Sequence, residues 1–141
     1  MRAWLLRPQA KAVLAGVCAL PVVWLFFAAF QDRLGPNPAE ALIRGTGDWT
    51  LRALCLVLAV TPLRVITRTP ALARFRRLLG LNVFAYATLH LLCYAWLDMG
   101  LEVPDIAKDI AKRPFILVGF AAMVLLLLLA ATSFQRAQRW L

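Results

Sequence analysis

The sequence predicts an all-α membrane protein, a bundle of four transmembrane helices with both termini cytoplasmic. Three observations predict it. The first is composition: the 141 residues are 62% hydrophobic and only 16% charged, whereas a soluble domain is about 45–50% apolar and about 25% charged. With a mean hydropathy of +0.74, disorder is excluded and a soluble globular enzyme is disfavoured. The second is the presence of long stretches without Asp, Glu, Lys or Arg. The third is the charge of the segments between them, which alternates in sign along the chain.

The first stretch, AVLAGVCALPVVWLFFAAFQ, lies between Lys11 and Asp32. It predicts a helix over about residues 12–31, long enough to cross a hydrocarbon core of about 30 Å at about 1.5 Å per residue. The basic segment MRAWLLRPQAK before it resembles the start of a signal peptide. The apolar run is longer than a usual signal core, and no convincing small-x-small cleavage site follows, so an uncleaved first span is expected. The second stretch, ALCLVLAVTPL, is short. It becomes adequate as a helix over about 49–66, with Arg52 and Arg64 snorkelling to opposite interfaces. The third, LLGLNVFAYATLHLLCYAWL, lies between Arg77 and Asp98 and predicts a helix over about 78–97. The fourth, PFILVGFAAMVLLLLLAATSFQ, follows Arg113 and predicts a helix over about 115–133. None of these stretches alternates apolar with polar residues, which argues against a membrane β-barrel.

The connections set the orientation. The N-terminus carries Arg2, Arg7 and Lys11. The first loop holds three acids (Asp32, Glu40, Asp48) and two arginines (Arg33, Arg44), net −1. The second holds only arginines, at 64, 68, 74, 76 and 77, net +5. The third holds four acids and three bases between Asp98 and Arg113, net −1, and the tail carries Arg136 and Arg139. Positive segments mark the cytoplasmic side. They account for much of the net charge of +9 without nucleic acid. LGPNPAE and GTGD are expected to break the chain between the first two helices. VPDIAKDIAKRP is expected to form a short surface helix, with Pro104 at its start and Ile106 and Ile110 on one face.

Few residues offer chemistry. Cys18, Cys55 and Cys93 fall inside spans, form no C-x-x-C pair, and read as packing residues. No span contains paired carboxylates, and no nucleophile has a base beside it, so no catalytic site is expected. The G-T-G at Gly45 to Gly47 lacks the later glycine of a phosphate loop. His90 stands apart. It is the sole histidine and lies within the third span, where an ionisable residue suggests function. Placed eight residues before Asp98, it sits about 12 Å from the outer charge, in the outer half of the membrane. A neutral imidazole there suits a haem iron or a proton relay; the alternative is a histidine hydrogen-bonded to a neighbouring helix. Ala87 and Cys93, one turn away, would admit a flat macrocycle or simply close helix packing. Arg52 is a candidate partner for a haem propionate, or else an interfacial arginine. Arg74, Arg76 and Arg77 could hold a flavin or quinone head group or an anionic lipid; as a run they first determine topology.

Four runs occur in order: LGPNPAEALIRGTGDWTLRALCLVLAVTPLR, ARFRRLLGL, ATLHLLCYAWLD and DIAKRPFILVGFAAM. Together they resemble the MsrQ (YedZ) family of the ferric-reductase-like transmembrane superfamily. The resemblance implies a haem b subunit of the bacterial MsrPQ methionine sulfoxide reductase system, in the inner membrane. Electrons would enter from a cytosolic flavin reductase or from quinone. They would pass through flavin (FMN) and haem to a periplasmic molybdopterin subunit of the MsrP type, which repairs oxidised envelope proteins. It further implies His90 as a haem axial ligand, and it places Arg77 at a motif position for which a flavin or quinone contact is expected. Members have about two further spans bearing more histidines. Residues 1–141 are thus expected to be one incomplete domain, a C-terminally truncated fragment of a roughly six-helix fold, that binds haem weakly or not at all alone. A non-redox membrane scaffold or assembly protein, or an inactive truncated copy, is the competing reading.

Overall fold

A computed structural model describes residues 2–133 and 139. Arg136 of the tail lies outside the described residues. A short helix α1 (Arg2–Leu5) leads into α2 (Pro8–Phe30), α3 (Pro38–Thr67), a 3₁₀ turn (Pro70–Leu72) and α4 (Ala73–Cys93). α4 continues as a π-helical segment (Tyr94–Asp98), followed by α5 (Val103–Lys112) and α6 (Pro114–Thr132). Four helices are long and apolar enough to cross a membrane: Pro8–Phe30, Pro38–Thr67, Pro70–Asp98 and Pro114–Thr132.

Each helix begins where local chemistry allows. α2, α5 and α6 carry a proline in their first turn, where its missing N–H costs nothing. α3 begins at Pro38, eleven residues before the expected Trp49. Asn37 explains the difference. Its side chain accepts from the Glu40 backbone N–H at 3.3 Å, and Pro38 holds the first helical position. Glu40 places a negative charge in the first turn, where the helix dipole favours it. The break between the first two helices is therefore confined to the segment before Asn37, with Gly35 at φ 90°. GTGD is helical, contrary to the expected break. α3 ends on Arg68 in the left-handed region at φ 50°. The FRR run also lies inside a helix, since α4 starts at Ala73 rather than near residue 78.

The helices α3 and α4 form the most extensive pair, and α2 packs across both. Lipid tails are as apolar as Leu, so association here relies on small residues, close packing and interhelical hydrogen bonds. The buried positions fit that rule. Ala10, Ala28, Ala53 and Ala87 are all buried, and Thr46 is the buried polar residue among those described. Ala10, Val60, Phe75 and Leu79 form one cluster that joins α2, α3 and α4 near the arginine-rich end. At that end Arg74 donates to the Leu6 carbonyl at 2.6 Å. Arg77 donates to the Ser133 carbonyl at the end of α6. Halfway along, the Tyr86 hydroxyl donates to the Cys18 carbonyl and ties α4 to α2.

At the opposite end α5 lies across the bundle as the expected amphipathic helix, with Ile106 and Ile110 half-buried. Tyr94 donates to the Asp109 carboxylate, which also pairs with Arg113 at 3.2 Å. α6 packs on α4 and α5 yet contributes no buried residue.

Candidate haem-ligand site

His90 occupies α4 one turn before the π-helical segment. Its imidazole points at α3. Nδ1 lies 3.0 Å from the Ile43 carbonyl oxygen and 3.2 Å from Thr46 Oγ1. The approach is close because residue 47 has no side chain: a Cβ there would stand 3.0 Å from His90 Cε1 and 3.3 Å from Nδ1. Thr46 and Gly47 of the helical GTG motif, with the Ile43 carbonyl, are therefore the surface on which the imidazole rests.

The depth of the site follows from both helices. Thr46 is eight residues from Pro38, and His90 is eight residues from Asp98. Each separation is about 12 Å at the helical rise. The two antiparallel helices thus place the contact at the same level, in the half of the bundle nearer α5.

A carbonyl oxygen can only accept, so the Ile43 contact requires the proton on Nδ1. In the neutral ring Nε2 then carries the lone pair. Nε2 makes no hydrogen bond among the described residues, and it is not a buried atom lacking a partner. This donor set fits a metal-ligating histidine. Such a residue ordinarily donates its other ring N–H to a carbonyl or carboxylate, which fixes tautomer and ring direction. The residues present therefore suit an iron porphyrin bound through Nε2. Among the described residues there is no cluster of three or more His, Cys, Asp or Glu side chains for a metal held by protein alone.

The other expected site residues are not gathered here. Arg52 was expected at the outer end of its helix. With α3 starting at Pro38 it stands near mid-length, its guanidinium 4.7 Å from the centroid of the Trp49 ring. Nine residues beyond Ile43, it falls about 180° round the helix from the carbonyl that binds His90. The geometry is that of an arginine stacked on an aromatic face. Arg77 is at the far end of α4, engaged with Ser133. Ala87 and Cys93 are buried in the bundle, so they serve close packing instead of an open cofactor surface. Ile43, Thr46 and Gly47 were missed from sequence. Their signal was the Asn37–Pro38–Glu40 helix start, which extends α3 upstream and puts Ile43, Thr46 and Gly47 on the face toward α4.

The chain is similar over most of its length to proteins that carry a name. The chain is 70% identical over 134 residues to a protein of Polaromonas naphthalenivorans named protein-methionine-sulfoxide reductase heme-binding subunit MsrQ, covering 95% of this chain and 61% of that protein. Proteins of the same name from Azospira oryzae and Bordetella pertussis are 50% and 49% identical, over 92% and 85% of this chain and 55% and 58% of theirs. The chain thus spans a little over half the length of the curated relatives it matches. No solved structure matches it. The sequence model of the ferric reductase like transmembrane component covers residues 45–141, from the GTG motif through His90 and onward. A helical pair that presents one histidine nitrogen within a membrane bundle, together with that match, places the chain in the ferric-reductase-like transmembrane family.

Proposed function

We propose that the chain forms the haem-binding wall of a membrane electron-transfer subunit, with His90 Nε2 as an axial ligand to haem b. The observation that carries this reading is the division of labour on the imidazole. Nδ1 is committed to α3, and Nε2 is left without a protein partner. When bound, haem would supply a one-electron carrier in an apolar setting. The chain's own part is to hold the ring, direct its lone pair and keep water away through the surrounding apolar helices.

The charge pattern supports an orientation with the arginine-rich end in the cytoplasm of a bacterial inner membrane. His90 then lies toward the periplasm. Electrons would enter at the arginine-rich end from a cytosolic flavin reductase or quinone, by way of an FMN site. They would leave for a periplasmic molybdopterin MsrP-type subunit that reduces oxidised methionine. Arg77 would meet flavin or quinone through the guanidinium donors that Ser133 leaves free. Arg52, about half a turn round α3 from the His90 contact and stacked on Trp49 near the middle of the helix, is the weaker candidate for a propionate contact.

The test is an optical spectrum of protein purified from membranes of cells supplied with haem, with the chain joined to the remaining C-terminal part of its 70% identical relative, since residues 1–141 alone are expected to hold haem weakly. A reducible b-type spectrum is expected, lost in His90→Ala while helicity by circular dichroism stays the same. Unchanged haem content in His90→Ala would overturn the assignment.

A further inference from the structure

The His90 ring meets α3 through two oxygens. Besides the Ile43 carbonyl, Thr46 Oγ1 stands 3.2 Å from Nδ1. Thr46 is fully enclosed, with 0% exposure. Its hydroxyl also lies 2.8 Å from the Leu42 carbonyl and 3.1 Å from the Ile43 carbonyl. A hydroxyl has one proton and two lone pairs. Both carbonyls can only accept, and both compete for that proton. The proton is thereby drawn to the α3 backbone, and a lone pair is left facing Nδ1. The opposite arrangement fails on the same geometry. An unprotonated Nδ1 would set its lone pair against the Ile43 carbonyl oxygen at 3.0 Å, and Thr46 could satisfy it only by giving up Leu42.

We propose that Thr46 is a positioning residue for His90: its buried hydroxyl, with the Ile43 carbonyl, holds the proton on Nδ1 and strengthens the electron donation available at Nε2. The Ile43 carbonyl belongs to the backbone and is present whatever the side chain. The adjustable element is the Thr46 oxygen. Gly47 makes the arrangement reachable by letting the ring approach α3 closely. The effect on the tautomer stands by itself. Its consequence for redox behaviour rests on the haem reading above. A second acceptor on Nδ1–H makes the imidazole a stronger donor and favours ferric over ferrous iron.

His90 is the sole histidine, so one labelled residue reports the tautomer directly. The first measurement is nitrogen-15 NMR of the histidine-labelled chain in lipid nanodiscs, without haem, at alkaline pH. The wild type is expected to show a single Nδ1–H tautomer. Thr46→Val keeps the shape and removes the oxygen; the Ile43 carbonyl keeps the proton on Nδ1, and the Nδ1–H resonance is expected to shift toward that of a more weakly hydrogen-bonded ring. Thr46→Ser keeps the oxygen and is expected to match the wild type. The second measurement is a redox titration of the haem-loaded protein in the extended form used for the haem spectrum. Thr46→Val is expected to move the ferric–ferrous equilibrium about tenfold toward ferrous, about 59 mV for one electron, and Thr46→Ser to restore it.

A wild-type ring protonated on Nε2 would overturn the proposal. So would a Thr46→Val protein that matches the wild type in both measurements. If Thr46→Val does not fold, the comparison of Thr46→Ala with Thr46→Ser decides on the same criteria. Failure of the haem reading looks different: the Nδ1–H resonance would respond to Thr46 while His90→Ala kept its haem. Loss of haem in His90→Ala with a silent Thr46→Val would retain the haem reading and discard this one.

Discussion

A missing methylene decides how two helices meet in this bundle, and it does so at two neighbouring glycines with different consequences. A Cβ at residue 45 would come within 2.8 Å of Leu25 Cδ2; one at residue 47 would come within 3.0 Å of His90 Cε1. The shorter contact is the less harmful. Leu25 presents the end of a flexible side chain that can rotate, and alanine improves helix propensity over glycine by up to about 1 kcal/mol. His90 is pinned at Nδ1 by α3 itself and cannot yield without losing that bond. Gly45→Ala is therefore expected to fold and retain haem near wild-type levels. Gly47→Ala is expected to keep its helicity but lose most of its haem, about tenfold in affinity or more, as for loss of a supporting partner. Haem titration of the two variants side by side checks the difference. His90 itself was legible from sequence, being a lone ionisable group inside a span. The residues that orient it were not. Thr and Gly are ordinary helix-packing residues until a partner helix fixes which face they occupy.

Among the elements, α3 departs most from sequence expectation, and its start has a local cause. Proline and glycine in LGPNPAE and GTGD read as a long break. The Asn37 cap and Pro38 at the first position turn the same residues into a helix start. Asn37→Ala is expected to cost about 1 kcal/mol and to fray the first turn of α3. Amide hydrogen exchange should then rise over residues 39–41, with the haem spectrum unchanged, since the site lies about 12 Å further along. α5 was readable from its two isoleucines, but its anchor was not: Tyr94 and Asp109 are fifteen residues apart, and only the fold brings them together. Asp109→Asn weakens a charge-assisted bond and breaks the pair with Arg113. It is expected to raise exchange across Val103–Lys112 while leaving α4 protected.

For the whole molecule, topology is the property that charge decides. The basic segments meet at one end of the bundle, where Arg74 and Arg77 bond the Leu6 and Ser133 carbonyls. The net-negative loop with α5 forms the other. In a background with Cys18, Cys55 and Cys93 replaced by alanine, Lys108→Cys is expected to react with a membrane-impermeant maleimide in intact spheroplasts. Arg76→Cys is expected to react only after the membrane is opened. The reverse pattern would invert the orientation. The four spans are legible along the chain without its fold, because burial in lipid demands long charge-free helices whatever their neighbours. So is the single histidine as the residue of interest, because an ionisable group in lipid is costly without a use. The extension of α3 to Pro38, the turn of Arg52 onto Trp49 and the seat of the imidazole on Thr46 and Gly47 emerge from how the helices pack. The reason is physical: the proton on a histidine ring is placed by the oxygens it faces, and here those oxygens lie 44 and 47 residues away along the chain.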